Sequence, residues 1–360
     1  MKPIFKLFVE RMRRNKMSET VTVAVDAMGG DHAPLEIVKG VVESVKLNSI
    51  LHIILVGDTG KIEAELAKYQ FDRERITIVH TTEEISCDEA PVVAIRTKKD
   101  SSIVVALNLV KEGKADAFVS AGSSGAILAG GQFIVGRMKG VERAPLAPVI
   151  PTLEGVSLLI DCGANVDARP SHLVQFAKMG STYMKHIIGI EKPRVAIVNI
   201  GAEEAKGNAL VKETYPLLKE CEDIHFIGSI EARDIPYGKA DVIVSEAFVG
   251  NVILKLCEGL SSALVKTIKD GMMSTTRSKI GALLAKPALK ETLKKFDATE
   301  YGGAPLLGLK GLVVKVHGSA KEKEVKNALI QCVQFHQQKM NEKLSETLNL
   351  GKKEKAEKSE

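Results

Sequence analysis

The chain has 360 residues, of which 45% are apolar and 26% charged, enough for a large core in one big domain or two lobes. Tryptophan is absent and aromatics make up only 4%, which argues against a stacking platform for single-stranded nucleic acid. The net charge of +5 suits an acidic protein partner or an anionic membrane surface and is too small to argue for nucleic acid.

Residues 1–19 are basic, with Phe5, Leu7, Phe8 and Val9 among Lys2, Lys6, Arg11, Arg13, Arg14 and Lys16; they read as a flexible extension without function. From Val21 to Asn199, strands and helices alternate. Val21–Asp26 reads as a buried strand whose glycine turn, Gly29-Gly30, leads to Asp31, placed to cap a helix. Leu35, Val38, Val41, Val42 and Val45 form that helix's apolar face. Strands follow at His52–Val56, Ile76–Val79, Ala117–Ser120, Ser157–Asp161 and Val195–Asn199. Helices are predicted at Lys61–Tyr69, Ser101–Lys111, from Gly125, and at Ser171–Ile188. This alternation implies a doubly wound, mostly parallel sheet, and residues 20–349 read as a single α/β domain.

Between about 250 and 295 the pattern changes. Val252, Leu256, Leu260, Leu264 and Ile268 run down one helical face, and a second helical stretch follows, so a protruding helical hairpin is expected to bury its stripe against a second copy. Its turn mixes Met272, Met273, Ile280, Leu283 and Leu284 with Arg277, Lys279 and Lys286, which suits a membrane surface as well as it suits a solvated end. No run approaches the roughly 20 apolar residues of a membrane span. Leu312–Val316 returns as a strand, Ala320–Leu348 as a closing helix, and residues 350–360 read as a disordered charged tail.

The polar residues after the strands carry the chemistry. Asp26, Gly29, Gly30, Asp31 and His32 follow the first strand. SAGSSG at Ser120–Gly125 offers crowded backbone amides at a helix start, a phosphate-sized cradle without a nucleotide P-loop or dinucleotide fingerprint. DCGANVDARP at Asp161–Pro170 holds Asn165, Asp167 and Arg169 on a loop. GAEEAKGN at Gly201–Asn208 places Lys206 between strand and helix, either as a solvated lysine or as a donor to a phosphate or developing oxyanion. SEAFVGN at Ser245–Asn251 puts Asn251 near a helix start, where an asparagine also serves as a cap. YGGAPLLG at Tyr301–Gly308 is a glycine turn able to clamp over a ligand. The five cysteines are widely spaced with no C-x-x-C pair, which fits a reducing compartment, and the eight histidines show no ligand spacing. This chemistry should need neither an enzyme nucleophile nor a bound metal, and no cofactor is implied.

DAMGGDHAP at Asp26–Pro34, GANVDARP at Gly163–Pro170, GN at Gly207–Asn208, EARD at Glu231–Asp234, GNV at Gly250–Val252 and YGGAPLLG occur in an order that resembles the PlsX family of acyl-carrier-protein:phosphate acyltransferases, from Val21 to Leu348. The resemblance implies an isopropylmalate-dehydrogenase-like, Rossmann-like architecture and reversible transfer of a fatty acyl group from acyl-carrier protein to inorganic phosphate. It further implies an acyl-phosphate product for phospholipid synthesis and a homodimer. The protein would be cytoplasmic and peripheral to the inner membrane face, where an acyl-phosphate:glycerol-3-phosphate acyltransferase takes the product. It marks Lys206 and Asn251 as catalytic. Asp26, Gly29, Gly30, Asp31, His32, Ser123, Ser124 and Gly125 would line the phosphate side, with Asn165, Asp167, Asn208, Glu246, Gly302 and Gly303 as further binding residues. The chain departs from the family pattern at Ser123-Ser124 (usually Asn-Thr), at Ser245–Phe248 (usually Thr-Asp-Gly-Phe) and at Ala202 (usually Thr). Two other readings share the same features: a nicotinamide-dependent dehydrogenase of the same architecture, and a non-catalytic, membrane-associated scaffold.

Overall fold

A computed structural model describes residues 20–357, with side chains to residue 348. The reading of residues 1–19 lies outside the described residues. Contacts group the chain into two compact units, one comprising residues 20–147, 182–191 and 299–357 and the other residues 148–181 and 192–298.

The first unit is built on a six-stranded sheet. Its elements are β1 (Val21–Asp26), α1 (Leu35–Leu47), β2 (Leu51–Gly57), α2 (Thr59–Leu66), β3 (Ile76–His80), α3 (Pro91–Thr97), α4 (Ser102–Lys111), β4 (Ala117–Ser120) and α5 (Ser124–Gly130). After the second unit's elements come β10 (Ala304–Leu306), β11 (Leu312–Lys315), α10 (Glu322–Gln337) and α11 (Met340–Glu357). The strand order is β10-β11-β4-β1-β2-β3, parallel throughout except for β10. Val21, Val23, Ala24 and Val25 are all buried, the continuous apolar run of a strand covered on both faces. In α1, Ile37, Val38, Val41, Val42 and Val45 face the core while Leu35 is exposed, so the apolar stripe begins two residues later than its spacing suggests. α1 packs closely on α10, because a Cβ at Gly40 would meet Val325 Cβ and the Glu322 carbonyl at 2.7 Å each.

The second unit holds a five-stranded sheet of order β5-β6-β9-β7-β8. Its elements are β5 (Val149–Thr152), β6 (Gly155–Ile160), α6 (Pro170–Tyr183), β7 (Arg194–Val198), α7 (Ala209–Lys219), β8 (His225–Ile230), β9 (Val242–Val244), α8 (Ala247–Met272) and α9 (Thr276–Lys294). All pairings are parallel except β5 with β6. The last two residues of α6 belong with the first unit.

The α/β class and mostly parallel strands are as the sequence predicts, but the strands form two sheets rather than one. Three strands escape the sequence reading, and a fourth, β9, is implied only by the placing of Ser245–Asn251 after a strand. β5 and β10 each contain a proline (Pro151, Pro305) and sit at antiparallel sheet edges, where a missing N–H is tolerated. β8 is a half-exposed edge strand and β9 has only three residues. The tail read as disordered continues as helix to Glu357. Its Lys, Glu and Ala are good helix formers, and extending an existing helix avoids the nucleation step, so no apolar anchor is needed. α8 is also long and apolar enough to cross a membrane by length and composition, where the sequence reading finds no such run. Small residues and scattered charges such as Lys255 and Glu258, themselves paired at 2.7 Å, interrupt the run without making the helix polar.

Candidate active site

The predicted residues gather at the carboxyl edges of the two sheets, in one cluster per unit. In the first unit, the turns after β1, β4 and β11 abut. A Cβ at Gly29 would lie 2.3 Å from Asp26 Oδ2 and 2.7 Å from the Gly122 nitrogen, so only glycine lets the two turns close on each other. Gly30 has φ +103, and its missing Cβ makes room for Ala121 and the Gly318 carbonyl. The Asp31 N–H donates to that carbonyl at 2.8 Å. The turn after β11, His317–Ser319, is a part of this cluster that the sequence reading misses; its signal is a polar His-Gly-Ser directly after a strand.

Asp26 is 1% exposed. Its Oδ1 accepts the Met28 and Gly29 N–H groups at 3.1 Å each, and its Oδ2 accepts the Ser120 hydroxyl at 2.6 Å. Ser120 Oγ in turn accepts the Gly122 N–H at 2.9 Å. The carboxylate therefore ties both glycine turns together rather than facing a ligand. Burial, opposed by these hydrogen bonds, pushes its pKa above the ordinary carboxylate value of 3.8. In the window between the ordinary and the raised pKa the folded chain holds a proton that the unfolded chain has released. Stability should therefore fall as pH rises through that window and level off above it. Asp26→Asn is expected to flatten this part of the curve when denaturant midpoints are followed against pH. A variant with the wild-type slope would contradict the assignment.

Asp31 is exposed and does not cap α1, because the chain makes a turn first and Pro34 stands at the cap position without a side-chain hydrogen bond. His32 is exposed beside it. Ser123 is the cap of α5, its Oγ accepting the Ala126 N–H at 3.4 Å, while Ser124 is exposed and Gly125 lets α5 pack on Pro91. Gly302 and Gly303 are pinned to α10: the Gly303 N–H donates to Gln331 Oε1 at 3.1 Å, and Gln331 Nε2 donates to the Tyr183 hydroxyl at 2.9 Å. Gly302 has φ +85, and a Cβ there would meet Gln331 Oε1 at 2.7 Å. The glycine turn read as a clamp is held down in this arrangement. A cavity of about 320 Å³ lined by Asp116, Leu312, Cys332 and His336 lies at the opposite edge of this sheet, where β4 and β11 begin, and is separate from the cluster.

In the second unit the loops after β6, β7 and β9 carry the residues. Asp161 repeats the device of Asp26: wholly buried, it accepts the Asn165 N–H at 2.9 Å, the Asn165 side-chain amide at 2.7 Å and the Ala164 N–H at 3.3 Å. Asn165 is thereby buried in the loop's own support, and its carbonyl accepts the Ala247 N–H at 3.2 Å, whereas Asp167 and Arg169 are exposed.

Asn199, which the sequence reading overlooks, directly follows β7. Its amide donates to the Lys206 carbonyl at 3.0 Å and to Ser229 Oγ at 3.2 Å, and its Oδ1 accepts the Ile200 N–H at 2.8 Å, so it shapes the whole Gly201–Asn208 loop. The Lys206 side chain lies over Gly201, where a Cβ would meet its Cδ at 2.6 Å. Its ammonium donates to Glu203 at 2.8 Å, and this bond holds the Glu203 carboxyl below its ordinary value. Half exposed and already paired with a carboxylate, the ammonium is placed to bind an anionic oxygen. Asn208 caps α7 through the Val211 N–H at 2.9 Å.

Asn251 is not the cap that its position near a helix start suggests. Glu246 fills that role, accepting the Phe248 N–H at 2.6 Å and the Val249 N–H at 2.8 Å. Asn251 stands one turn further in, exposed, with its side chain towards Gly163, whose Cβ would lie 3.8 Å from Asn251 Oδ1. Cys162, next to Asp161, is buried, and burial raises its thiol, so it is not a ready nucleophile.

Strand-end loops on two mostly parallel sheets define a Rossmann-like α/β protein. The fold is similar to that of a phosphotransacetylase from Streptococcus pyogenes, with a TM-score of 0.61 at 18% identity over 93% of this chain and 98% of the other. A branched-chain phosphotransacylase from Enterococcus faecalis gives a TM-score of 0.53 over 88% of this chain and 98% of the other, at 16% identity. At the sequence level the family model "Fatty acid synthesis protein" matches residues 21–343. A phosphate acyltransferase of Alkaliphilus oremlandii is 53% identical over 324 residues, 90% of this chain and 96% of its own length. One from Clostridium acetobutylicum is 50% identical over 326 residues, 91% of this chain and 98% of its own. The chain belongs to this fatty acid synthesis family, the PlsX-type phosphate acyltransferases. It is an acyltransferase that moves an acyl group to phosphate.

Proposed function

We propose that the acyl donor is a fatty acyl thioester of acyl-carrier protein and that the acyl-phosphate product feeds phospholipid synthesis. Phosphate is mostly dianionic at neutral pH and serves as its own nucleophile, while a pantetheine thiolate leaves readily. The protein then has to align the two and stabilise the charge that develops on the thioester oxygen. Lys206 neutralises the phosphate or the oxyanion, and the Asn251 side-chain amide donates a hydrogen bond. Asp26 and Ser120 take up the Gly29 and Gly122 N–H groups and so fix the two glycine turns, from which Asp31, His32 and Ser124 are exposed. The observation that carries this reading is the Lys206–Glu203 pair on a loop fixed by Asn199, a cation held ready at a strand end.

The helical hairpin supports a homodimer. Val252, Leu256, Leu260, Leu264 and Ile268 are exposed at a spacing that lines one face of α8, a stripe of the kind a second copy covers. At the turn, exposed Met273, Ile280, Leu283 and Leu284 beside Arg277, Lys279 and Lys286 suit a peripheral contact with an anionic membrane from the cytoplasmic side, where a glycerol-phosphate acyltransferase would take the product. The donor is tested by comparing acyl-carrier thioester with acyl-coenzyme A and trapping the acyl-phosphate product with hydroxylamine. Preference for the carrier with hydroxamate formed is expected; preference for coenzyme A would overturn the donor assignment.

A further inference from the structure

Large apolar side chains held in water at a sheet's reactive edge are unfavourable, at roughly 25 cal/mol per Å² of apolar surface. In the second unit Val166, Ile200 and Phe248 are 62%, 79% and 64% exposed. Val166 stands on the loop after β6, Ile200 two residues beyond the end of β7, and Phe248 in the first turn of α8 after β9. β9 lies between β6 and β7, and Ile160, Val244 and Ile197 are level in register. The three side chains therefore follow three neighbouring strands: Ile200 shares its loop with Lys206, Phe248 shares α8 with Asn251, and Val166 is on the β6 loop whose Asn165 is tied to Ala247.

These are not loose loop tips. Asn199 Oδ1 holds the Ile200 N–H at 2.8 Å, Glu246 holds the Phe248 N–H at 2.6 Å, and the Ala247 N–H is tied to the Asn165 carbonyl at 3.2 Å. Rigid backbone presents the apolar surface.

We propose that Val166, Ile200 and Phe248 form the contact surface for the alkyl chain of the acyl donor, and so set the enzyme's preference for chain length. The proposal rests on the reading of Lys206 and Asn251 as the reacting end. An acyl group whose carbonyl meets those polar groups must lay its chain on something apolar, and Ile200 and Phe248 share their elements with Lys206 and Asn251, with Val166 on the strand-end loop next to them. A second copy of the chain is a poorer occupant. Phe248, four residues before Val252, continues the α8 stripe, but Val166 and Ile200 lie outside it and have Asp167, Arg169, Glu203 and Lys206 close by in the chain, whereas the buried centre of a protein interface is depleted in charge.

The test measures kcat/KM with long-chain and short-chain acyl thioesters on one carrier, for wild type and for Ile200→Ser, Val166→Ser and the double variant. Both positions are exposed, so the fold should hold, and sedimentation checks the oligomeric state. Losing the contacts of two or so methylenes, at about 0.8 kcal/mol each, should lower the long-to-short ratio of kcat/KM about tenfold in the double variant. Wild-type turnover with an unchanged ratio in the variants would overturn the proposal and leave the functional reading standing. Variants that turn monomeric with an unchanged ratio would instead assign the surface to a second copy. Wild type with no phosphate-dependent turnover on any donor would overturn the functional reading, and this proposal with it.

Discussion

Lys206→Ala is expected to lower turnover by a factor on the order of 10² to 10³, the scale seen when one preorganised group facing developing charge is removed. The fold should be unaffected. Lys206 is half exposed, its side-chain partner is the neighbouring Glu203, and such surface pairs contribute little to stability. The loop does not depend on the side chain either, because Asn199 grips the Lys206 carbonyl and not its ammonium. Asn251→Ala should behave in the same way. Alanine is the better helix former, and Asn251 does not cap α8, so stability should hold or rise while turnover falls. Steady-state rates beside denaturant midpoints separate the two effects. Near-normal rates in both variants would remove this pair from the active site.

Gly250→Ala is expected to be the most damaging single methyl group. A Cβ at Gly250 would lie 1.9 Å from the Asp161 carbonyl oxygen and 2.8 Å from Ser245 Oγ, and the nearest of these is backbone that cannot rotate away. α8 would have to back off from the loop after β6, costing about 3 kcal/mol or more and shifting Asn251 with it. Denaturant unfolding should show a large drop in midpoint, and residual turnover should fall as well. An alanine variant with wild-type stability would mean that α8 and this loop are not in the tight contact described. The Gly-Asn-Val motif thus has a steric reason for its first residue as well as a chemical one for its second.

Elements with continuous apolar runs or clear helical stripes were readable from the chain alone: the strands at Val21–Asp26 and Ala117–Ser120, the helix of Val38, Val41 and Val45, and the long apolar stripe of α8. What was not readable followed physical causes. Edge strands such as β5 and β10 carry prolines and no apolar run, and their place is decided by the strand beside them. Polar residues near helix starts were harder still, because a cap and a ligand contact use the same residue types. Asp31 and Asn251 looked like caps and are not, while Glu246, Asn208 and Ser123 looked like ligand contacts and also serve as caps. Asp26 and Asp161 showed as carboxylates at strand ends, but that each is buried and holds its own loop depends on turns distant in sequence, such as Ser120 for Asp26. Asn199 and His317 drew no notice because a lone polar residue after a strand is common.

The most direct measurement is release of thiol from an acyl-carrier thioester as inorganic phosphate is titrated from zero. If phosphate is the nucleophile and Lys206 and Asn251 stabilise the charge it generates, release should be negligible without phosphate, rise and saturate as phosphate is added, and nearly vanish in the Lys206→Ala variant. Release that proceeds at full rate without phosphate would contradict the account, since water or a group of the protein would then be attacking the thioester.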